Sequence, residues 1–503
     1  MDLMSNLALG FGIAFSPFTL MLAVCGCFLG TIIGALPGLG PSNGVAILIP
    51  ITFTLGLDAT SALVLMTAVY YGAMYGGRIS SILLNIPGDE PALMTTLDGY
   101  PLARAGKAGK ALTVAAISSF CGGTIGAVLL MVFAPMLASV ALLFHSAEYF
   151  ALMVVGLSAI AAFAGSGQVL KALLMTILGL IIATVGEGAL FNLPRFTMGV
   201  MDLQSGIGFI TLAMALFALP EAIFLVLDPN RSGDPAKKGE EIKDLRVTAA
   251  EAKQIAPVIG RQSVQGFLIG VLPGAGATIA SFLGYAVERN IAKGEDQAKF
   301  GKGSLKGLAA PESANNAACT GSFVPLLTLG IPGSGTTAIL LGALIALNVS
   351  PGPRLMVDDP DIFWAVIISM YIGNLILLIL NLPLIPYIAK VLAVPRNFLI
   401  PFILFFTLMG AYIGQNNETE LLLLVGLGVA ATILRFANYP LPPLLIGFIL
   451  GSMLEDNLAR SMQLYDGIGF IWERPMAFGL LVLALLLVAA PYLRKRMKWG
   501  RAR

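Results

Sequence analysis

Glu312, Asn315 and Asn316 stand close together in an otherwise apolar stretch of the sequence, residues 309–318. Carboxyl and amide groups are costly to place in an apolar environment, and within a membrane they are functional candidates by default. We expect Asn315 and Asn316 to contact a substrate and Glu312 to interact with an ion. The segment is also typical of a helix start, because Pro311 suits the first turn and Glu312 suits the positive end of the helix dipole.

A second polar segment, residues 330–337, contains Gly333, Ser334, Thr336 and Thr337. Small residues leave the backbone accessible, so this segment can offer several N–H and O–H donors to one carboxylate, while displaced carbonyl groups could hold Na⁺. We expect these four residues to bind the substrate.

The first half of the chain has a counterpart with different chemistry, in which an Ile-Pro-Gly sequence at 86–88 is followed by Asp89 and Glu90. The two acids could be cation ligands, a protonation site or surface groups at the end of a hairpin. We treat them, together with Glu312, as ion-coupling candidates. The ligands of any metal ion stay unassigned.

A Gly-x-Leu-Pro-Gly-x-Gly sequence occurs twice, at 34–40 and at 270–276. Proline removes a backbone donor and glycine loosens a helix, so each copy predicts a broken helix. A helix that restarts after the break presents free N–H groups and a positive dipole end, which favour an anion. We expect the substrate to contact residues in and after both breaks, which are Gly38, Gly40, Ser42, Asn43, Gly274, Gly276 and Thr278. Ser42 or Asn43 is expected to cap the helix that follows the first break, although the breaks could instead serve only close helix packing.

The composition is that of a membrane protein. Of the 503 residues, 57% are hydrophobic and 12% are charged, with a mean hydropathy of +0.87, whereas soluble domains carry roughly 25% charged residues. We predict an all-α polytopic membrane protein with about ten to twelve membrane segments, including broken helices and re-entrant hairpins that protein rather than lipid surrounds. The net charge of +2 gives no indication of a nucleic-acid partner.

The two Pro-Gly breaks and the two Ile-Pro-Gly turns recur in the same order. Pro37 and Pro273 are 236 residues apart, and Pro87 and Pro332 are 245 residues apart. Two ordered matches at similar offsets indicate an internal duplication. Paired interruptions in the two halves of a polytopic protein are typical of secondary carriers, whose repeats are commonly inverted, and we expect that arrangement. The chain then divides into a first repeat, a charged linker, a second repeat and a basic tail, at 1–227, 228–261, 262–493 and 494–503.

The distribution of basic residues predicts the orientation. The linker and the tail are rich in Lys and Arg, and basic connections stay in the cytoplasm. We therefore expect a cytoplasmic C-terminus. Arg78 is the only cation before Arg104; it could pair with a substrate carboxylate, but we expect its long side chain to reach the membrane interface.

The sequence does not indicate an enzyme. It lacks a Gly-x-Ser-x-Gly elbow, a His-Glu-x-x-His pair and a phosphate-binding loop, and it has one histidine, too few for a multi-histidine metal site. We expect no catalytic residue and no cofactor beyond a coupling ion. The alternative of this kind is a membrane-embedded hydrolase that uses Ser313 with Glu312.

Together these segments resemble the large membrane subunit of the tripartite tricarboxylate transporters. The resemblance spans essentially the whole chain and rests on residues 34–44, 98–106, 270–284 and 300–344. It implies the translocating subunit of a carrier in the bacterial inner membrane, working with a small membrane subunit and a periplasmic solute-binding protein. It also implies uptake of small organic acids, such as citrate, other tri- or dicarboxylates or aromatic carboxylates, driven by an ion gradient, usually Na⁺, rather than by ATP.

We therefore expect a secondary active transporter that holds a small carboxylate between its repeats and works by alternating access. It would contact membrane lipid and could form a homo-oligomer. The alternative is a channel-like or scaffold membrane protein in which the Gly and Pro breaks serve helix packing. Gradient-driven accumulation separates the two, because a passive pore cannot accumulate solute.

Overall fold

A computed structural model describes residues 3–36, 39–163, 168–188, 193–227, 245–388, 396–415 and 417–500. The elements of the first half are α1 (Leu3–Ala14), α2 (Pro17–Ala35), α3 (Gly40–Thr54), α4 (Ala59–Leu84), α5 (Leu93–Leu102), a π-helical turn (Ala103–Lys107), α6 (Ala108–Ala141), α7 (Ser146–Phe163), α8 (Val169–Ala183), β1 (Gly186–Glu187), β2 (Pro194–Arg195), a 3₁₀ turn (Met201–Ser205) and α9 (Phe209–Leu227). Those of the second half are α10 (Ala249–Val271), α11 (Gly276–Ile291), α12 (Glu295–Ala298), α13 (Leu305–Gly321), α14 (Phe323–Leu329), α15 (Gly335–Ala346), α16 (Leu355–Asp358), α17 (Pro360–Asn381), α18 (Ile385–Ile388), α19 (Arg396–Gln415), α20 (Glu418–Phe436), α21 (Pro442–Leu464), α22 (Phe470–Glu473) and α23 (Pro475–Gly500).

The described part of the chain is almost entirely helical, which confirms the predicted all-α polytopic fold. The helical segments that are long and apolar enough to cross a membrane lie at Pro17–Ala35, Leu93–Ala141, Phe209–Leu227, Pro360–Asn381 and Glu418–Phe436, and the second of these comprises α5 and α6 on either side of a kink at Gly106. Shorter apolar helices accompany them at Met4–Ala14, Ser146–Ile160, Val169–Ala183, Gly335–Ala346 and Pro475–Ala489. The strands β1 and β2 form a single short antiparallel pair. Helix α10 begins at Ala249, inside the segment expected to be a linker.

The two halves repeat the same local structure. Equivalent helices are α2 and α10, α3 and α11, α4 and the pair α13–α14, and α5 and α15. In the first half, a methyl group on Gly34 would lie 2.1 Å from the carbonyl oxygen of Ala73; in the second, one on Gly270 would lie 2.2 Å from that of Ala318. These glycines therefore let α2 approach α4, and α10 approach α13, at the same place in each repeat.

The repeats are inverted relative to each other. The equivalent helices α4 and α13 lie side by side, and the hydroxyl of Tyr71 donates to Thr320 Oγ1 at 2.8 Å. Two turns further along α4, Arg78 pairs with Glu312, two turns earlier in α13. The two helices therefore run antiparallel, which a parallel duplication would not produce.

The inversion gives the molecule two faces with different elements. We call one of them the basic face. There the end of α11 lies beside the first half of α10, and Arg261 binds Glu288 through two hydrogen bonds of 2.7 Å. Lys110 of α6 pairs with Glu251 of α10 at this face. On the opposite face, which we call the acidic face, α3 and α15 end beside the start of α9 around a common cavity. Both broken helices are therefore re-entrant hairpins, one from each face.

The centre of the molecule is formed by α4, α13 and α15, which are buried over most of their lengths. Outer helices such as α20 instead expose large apolar side chains, including Leu422 and Ile433. The polar residues of the central helices are therefore enclosed by protein, as the cost of placing them in lipid requires.

Candidate functional site

The first turns of α3 and α15, one from each repeat, meet through their hydroxyl groups. The side-chain oxygens of Ser42 and Thr336 lie 2.9 Å apart. Asn43 and Thr336 are buried, at 7% and 5% exposure. Tyr70 of α4 approaches the same place, with its hydroxyl 3.5 Å from Ser334 Oγ.

The inverted repeat produces a second contact of the same kind between α11 and the start of α5. Thr278 Oγ1 lies 3.5 Å from Glu90 Oε2, and Ser281 donates to the carbonyl oxygen of Pro91 at 2.7 Å. Thr278 is the third residue of α11, as Ser42 is of α3. Each re-entrant hairpin therefore touches the helix that restarts in the opposite repeat.

Asp89 and Ser334 occupy equivalent positions in the two repeats. Gly40 and Gly276 both have left-handed backbone conformations, with φ of +48° and +61°. A methyl group on Gly40 would lie 3.6 Å from Asp89 Cβ, and one on Gly276 would lie 3.5 Å from Ser334 Cβ. One repeat therefore places an acid, and the other a hydroxyl, against the glycine that starts its broken helix.

The four helix starts are capped differently. Ser334 and Thr337 form a capping box for α15, and Asp89 Oδ1 accepts a hydrogen bond from the backbone N–H of Ala92 at the start of α5. Helices α3 and α11 have no side-chain cap. The expectation that Ser42 or Asn43 caps α3 is wrong, because the helix begins earlier, at Gly40. The backbone N–H groups of Ser42 and Asn43 instead belong to the first turn of α3, which favours a bound anion.

Asp89 retains binding capacity. Its Oδ2 is buried and has no hydrogen-bond partner among the described residues. A methyl group on Gly77 would lie 3.1 Å from Oδ1 of this carboxyl group, so the acid lies against glycine backbone in a narrow space. A buried carboxylate oxygen without a donor is suited to a cation or a proton.

Glu312, by contrast, is committed to a buried network. Its Oε1 accepts from Thr95 and its Oε2 from Ser119 at 2.8 Å. Arg78 Nη1 donates to Ser119 Oγ at 2.7 Å and lies 3.9 Å from Glu312 Oε2. Arg78 is 1% exposed and its guanidinium lies over the ring of Tyr75. The expectation that Arg78 reaches the membrane interface is therefore wrong, because a buried carboxylate neutralises it.

The two asparagines of α13 are buried beside this network. Asn316 Nδ2 donates to the carbonyl oxygen of Glu312 at 3.0 Å and to Asn315 Oδ1 at 2.6 Å. Asn316 Oδ1 has no partner among the described residues. These contacts bring Glu312, Asn315 and Asn316 together in the buried centre of the protein.

The remaining predicted site residues shape the backbone. Gly274 has a φ of +76° and contacts Ile160 of α7. Gly333 lies against Ser322 and the carbonyl oxygen of Gly270, so the Ile-Pro-Gly turn contacts the hairpin of its own repeat. Gly38 lies outside the described residues.

A row of tyrosines on α4 was not identified from the sequence as part of the site. Tyr75 donates to Asn374 Oδ1, and Asn374 Nδ2 in turn donates to Thr124 at 2.8 Å. Tyr70 and Tyr71 both stack on Phe323. Three hydroxyl-bearing aromatic residues within six positions of one helix are the signal that could have identified this row.

Comparison with known proteins gives two relatives in Agrobacterium vitis. The chain is 41% identical over 489 residues to one described as "Uncharacterized 52.8 kDa protein in TAR-I ttuC' 3'region", covering 97% of this chain and 96% of the relative. It is 44% identical over 224 residues to "Uncharacterized protein in TAR-II ttuC' 3'region", covering 44% of this chain and 92% of that protein. No solved structure matches the chain.

A family comparison extends over most of the chain and agrees with the resemblance drawn from the sequence motifs. The family contains transporters that are the large subunits of tripartite systems, which also have a binding protein and a small subunit. The matched residues, 20–446, include both helix breaks and both contacts between the repeats, Ser42 with Thr336 and Thr278 with Glu90, which we call the crossed contacts. The chain belongs to the tripartite tricarboxylate transporter TctA family.

Proposed function

We propose that this protein imports small organic acids, with tri- and dicarboxylates as the substrate class, by alternating access driven by a Na⁺ gradient. The observation that carries the proposal is the pair of crossed contacts, Ser42 with Thr336 and Thr278 with Glu90. Through them the starts of four helices from two inverted repeats come together, at a part-buried contact between Ser42 and Thr336 and an exposed one between Thr278 and Glu90.

The converged helix starts favour a carboxylate for two reasons. The positive dipole ends and first-turn N–H groups of α3 and α11 have no competing side-chain cap. The hydroxyl groups of Ser42, Thr278 and Thr336 add neutral donors, which bind an anion without introducing a fixed charge. Because a di- or tricarboxylate has several anionic groups, it can engage helix starts from both repeats at once.

Two cavities support alternating access. One, of about 670 Å³, lies at the ends of α3 and α15 on the acidic face and includes Phe53 and Ala346 in its lining. The other, of about 490 Å³, lies between α5 and α11 and includes Leu97 and Arg289. Because α5 is equivalent to α15 and α11 to α3, the inverted repeat provides a related approach from each side.

Asp89 is the residue we assign to ion coupling. A carboxylate substrate beside this half-buried aspartate would be repelled unless a cation or a proton neutralised the acid. Asp89 Oδ2 is unpartnered among the described residues, whereas both oxygens of Glu312 accept hydrogen bonds. Coupling through Asp89 makes substrate binding depend on the ion, which is what symport requires.

The distribution of charge supports an orientation with the basic face in the cytoplasm. The connections at that face, before α6 and before α13, with the first turn of α13, carry Arg104, Lys107, Lys293, Lys299, Lys302 and Lys306 against Glu295 and Asp296. Those at the opposite face, with the short helices and helix ends beside them, carry Asp58, Asp358, Asp359, Asp361, Asp466 and Glu473 against Arg354 and Arg474. In a bacterial inner membrane this arrangement directs the acidic face to the periplasm, where a solute-binding protein would deliver the substrate. Helix α23 then ends on the cytoplasmic side.

Reconstitution tests this function. The chain would be placed in proteoliposomes with its small membrane subunit, and uptake of labelled citrate and succinate would be followed in the presence of the binding protein. We expect accumulation only with an inward Na⁺ gradient. Thr336→Val should lower uptake about tenfold or more, the effect of losing a hydrogen bond to a charged group.

Thr432→Val is the matched control, because Thr432 is a buried threonine of α20 whose hydroxyl donates to Gly428 of its own helix. It should leave uptake unchanged. Equilibration without accumulation would instead support a channel. Accumulation that ignores the Na⁺ gradient would contradict the coupling, and full uptake by Thr336→Val would contradict the site.

A further inference from the structure

The connection between α8 and α9 presents a group of strongly exposed apolar side chains on the acidic face. Phe196, Met198 and Met201 are 66%, 93% and 78% exposed, and Leu193 is 63% exposed. We call residues 193–201 the apolar loop. Exposing this apolar surface to water is unfavourable, and a partner that covers it would remove that cost.

The apolar loop is held in a defined position rather than left loose. At its start, Arg195 binds Glu455 of α21 through two hydrogen bonds of 2.7 and 3.0 Å. Just after its end, Asp202 accepts a hydrogen bond of 2.6 Å from Thr419 of α20. The exposed side chains are therefore displayed by a segment fixed to two helices.

The backbone of the apolar loop is strained where the side chains are most exposed. Phe196 and Met198 have left-handed conformations, with φ of +55° and +50°. This region is unfavourable for a non-glycine residue, and such residues cluster at binding and switch sites. The left-handed backbone directs two large apolar side chains outward. It is an observation separate from the exposure of those side chains.

The position of the apolar loop indicates what covers it. The chain on either side of it, at Val185 and Gln204, lines the cavity at the ends of α3 and α15. A partner seated on the loop would therefore stand beside this cavity, at the ends of the two helices whose first turns form the Ser42–Thr336 contact. The acids of this face would repel a free organic acid from solution, so delivery by a bound protein has a clear advantage here.

We propose that the apolar loop is the docking site of the soluble solute-binding protein, which would cover Phe196, Met198 and Met201 with an apolar surface and face Glu187 with a basic rim. This inference rests on the proposed function. Methionine suits such a role, because its flexible side chain adapts to a partner that must bind and leave. Phenylalanine supplies a rigid anchor.

Affinity measurements test the docking site. Nanodiscs holding the complex of large and small subunits would be immobilised, and the binding of the solute-binding protein would be measured for wild type and for Phe196→Ser/Met198→Ser. We expect at least a tenfold weaker affinity with an unchanged melting temperature. The matched control is Ile468→Ser/Trp472→Ser, which removes two side chains 65% and 74% exposed between α21 and α23 and should bind like wild type.

A fluorescent label separates the possible occupants. Met198→Cys, placed in a cysteine-free background and labelled with an environment-sensitive dye, should change its emission only when the binding protein is added. A buried signal in nanodiscs without the binding protein, or loss of the small subunit from the double variant, would overturn the proposal in favour of lipid or of that subunit. Equal affinity of the double variant and wild type would also overturn it. If wild type itself fails to bind, the partner in the proposed function is wrong as well.

Discussion

The side-chain oxygens of Ser42 and Thr336 lie 2.9 Å apart, although the residues belong to opposite repeats and are 294 positions apart in the sequence. This contact closes the space between the first turns of α3 and α15. In the proposed alternating-access cycle, a substrate that binds both helix starts would have to separate them, so this closed state of the contact would alternate with an open one.

We predict that a cysteine pair replacing these two residues, Ser42→Cys with Thr336→Cys, traps this state. The four native cysteines would first be replaced. Oxidation should stop citrate uptake and reduction should restore it, because a disulfide would prevent the two first turns from separating. Each single-cysteine variant should be insensitive to oxidant. Full uptake by the oxidised pair, with the cross-link verified by mass spectrometry, would contradict the closure.

Asp89→Asn should uncouple uptake from Na⁺. The neutral amide removes the charge that a cation or proton would balance, so the dependence of uptake rate on Na⁺ concentration should flatten. Glu295→Gln is the comparison, because Glu295 is an exposed carboxylate outside the site and its change should alter the Na⁺ dependence little. A normal Na⁺ dependence in Asp89→Asn would reassign the ion to another group.

Glu312→Gln should destabilise the protein, since it leaves the buried charge of Arg78 without its counter-ion. Breaking one side of a buried pair costs roughly 3–5 kcal/mol, whereas replacing both partners by apolar groups is often tolerated. Arg78→Met/Glu312→Leu should therefore regain part of the melting temperature lost by the single variant. Asp358→Asn, which breaks a pair whose side chains are 75% and 45% exposed, should change stability little. A larger loss in the double variant would contradict this account.

The sequence was sufficient to predict the fold class and the duplication, because both depend on local patterns. Apolar runs and Pro-Gly breaks in the sequence indicate where helices begin and end. The 236-residue offset between Gly34 and Gly270 is reproduced in space, since each contacts the equivalent alanine of its own repeat. Local patterns of this kind survive in a single sequence without any knowledge of which helices are neighbours.

The partners of charged residues could not be predicted in the same way. The Glu312 carboxylate is bound by Thr95 and Ser119, which are 217 and 193 positions away. These contacts depend on how α5 and α6 lie against α13, and no spacing in the sequence reports that. For this reason the interfacial placement of Arg78 was wrong, while the crossed arrangement of the two hairpins could be expected only as a general consequence of inversion.

Gly270→Ala should destabilise the second repeat, because the added methyl would lie 2.2 Å from the carbonyl oxygen of Ala318 and push α10 away from α13. We expect a cost at the high end of overpacking, about 3 kcal/mol. Gly260→Ala in the same helix has open space around the added methyl and should stabilise slightly, by up to about 1 kcal/mol of helix propensity. Thermal unfolding in detergent compares the two, and equal melting temperatures would show that helix contact at Gly270 is dispensable.

The pair of Lys110 and Glu251 on the basic face should make stability depend on pH in an acidic window. The hydrogen bond from Lys110 and the bonds from Thr248 lower the pKa of Glu251 from an ordinary value of 4.5 to about 2. Because the folded-state pKa is lowered, the contribution is fully present above pH 4.5 and is lost as the pH falls towards 2. Glu251→Gln should therefore melt below wild type at pH 7, by an amount corresponding to roughly 1 kcal/mol for this partly exposed pair, and the difference should shrink between pH 4.5 and pH 3. Glu295→Gln, which changes an exposed carboxylate on the same face, should melt like wild type at every pH. A difference in melting temperature between Glu251→Gln and wild type that stays constant down to pH 3 would show that the shape of the side chain at position 251, rather than its charge, sets its contribution.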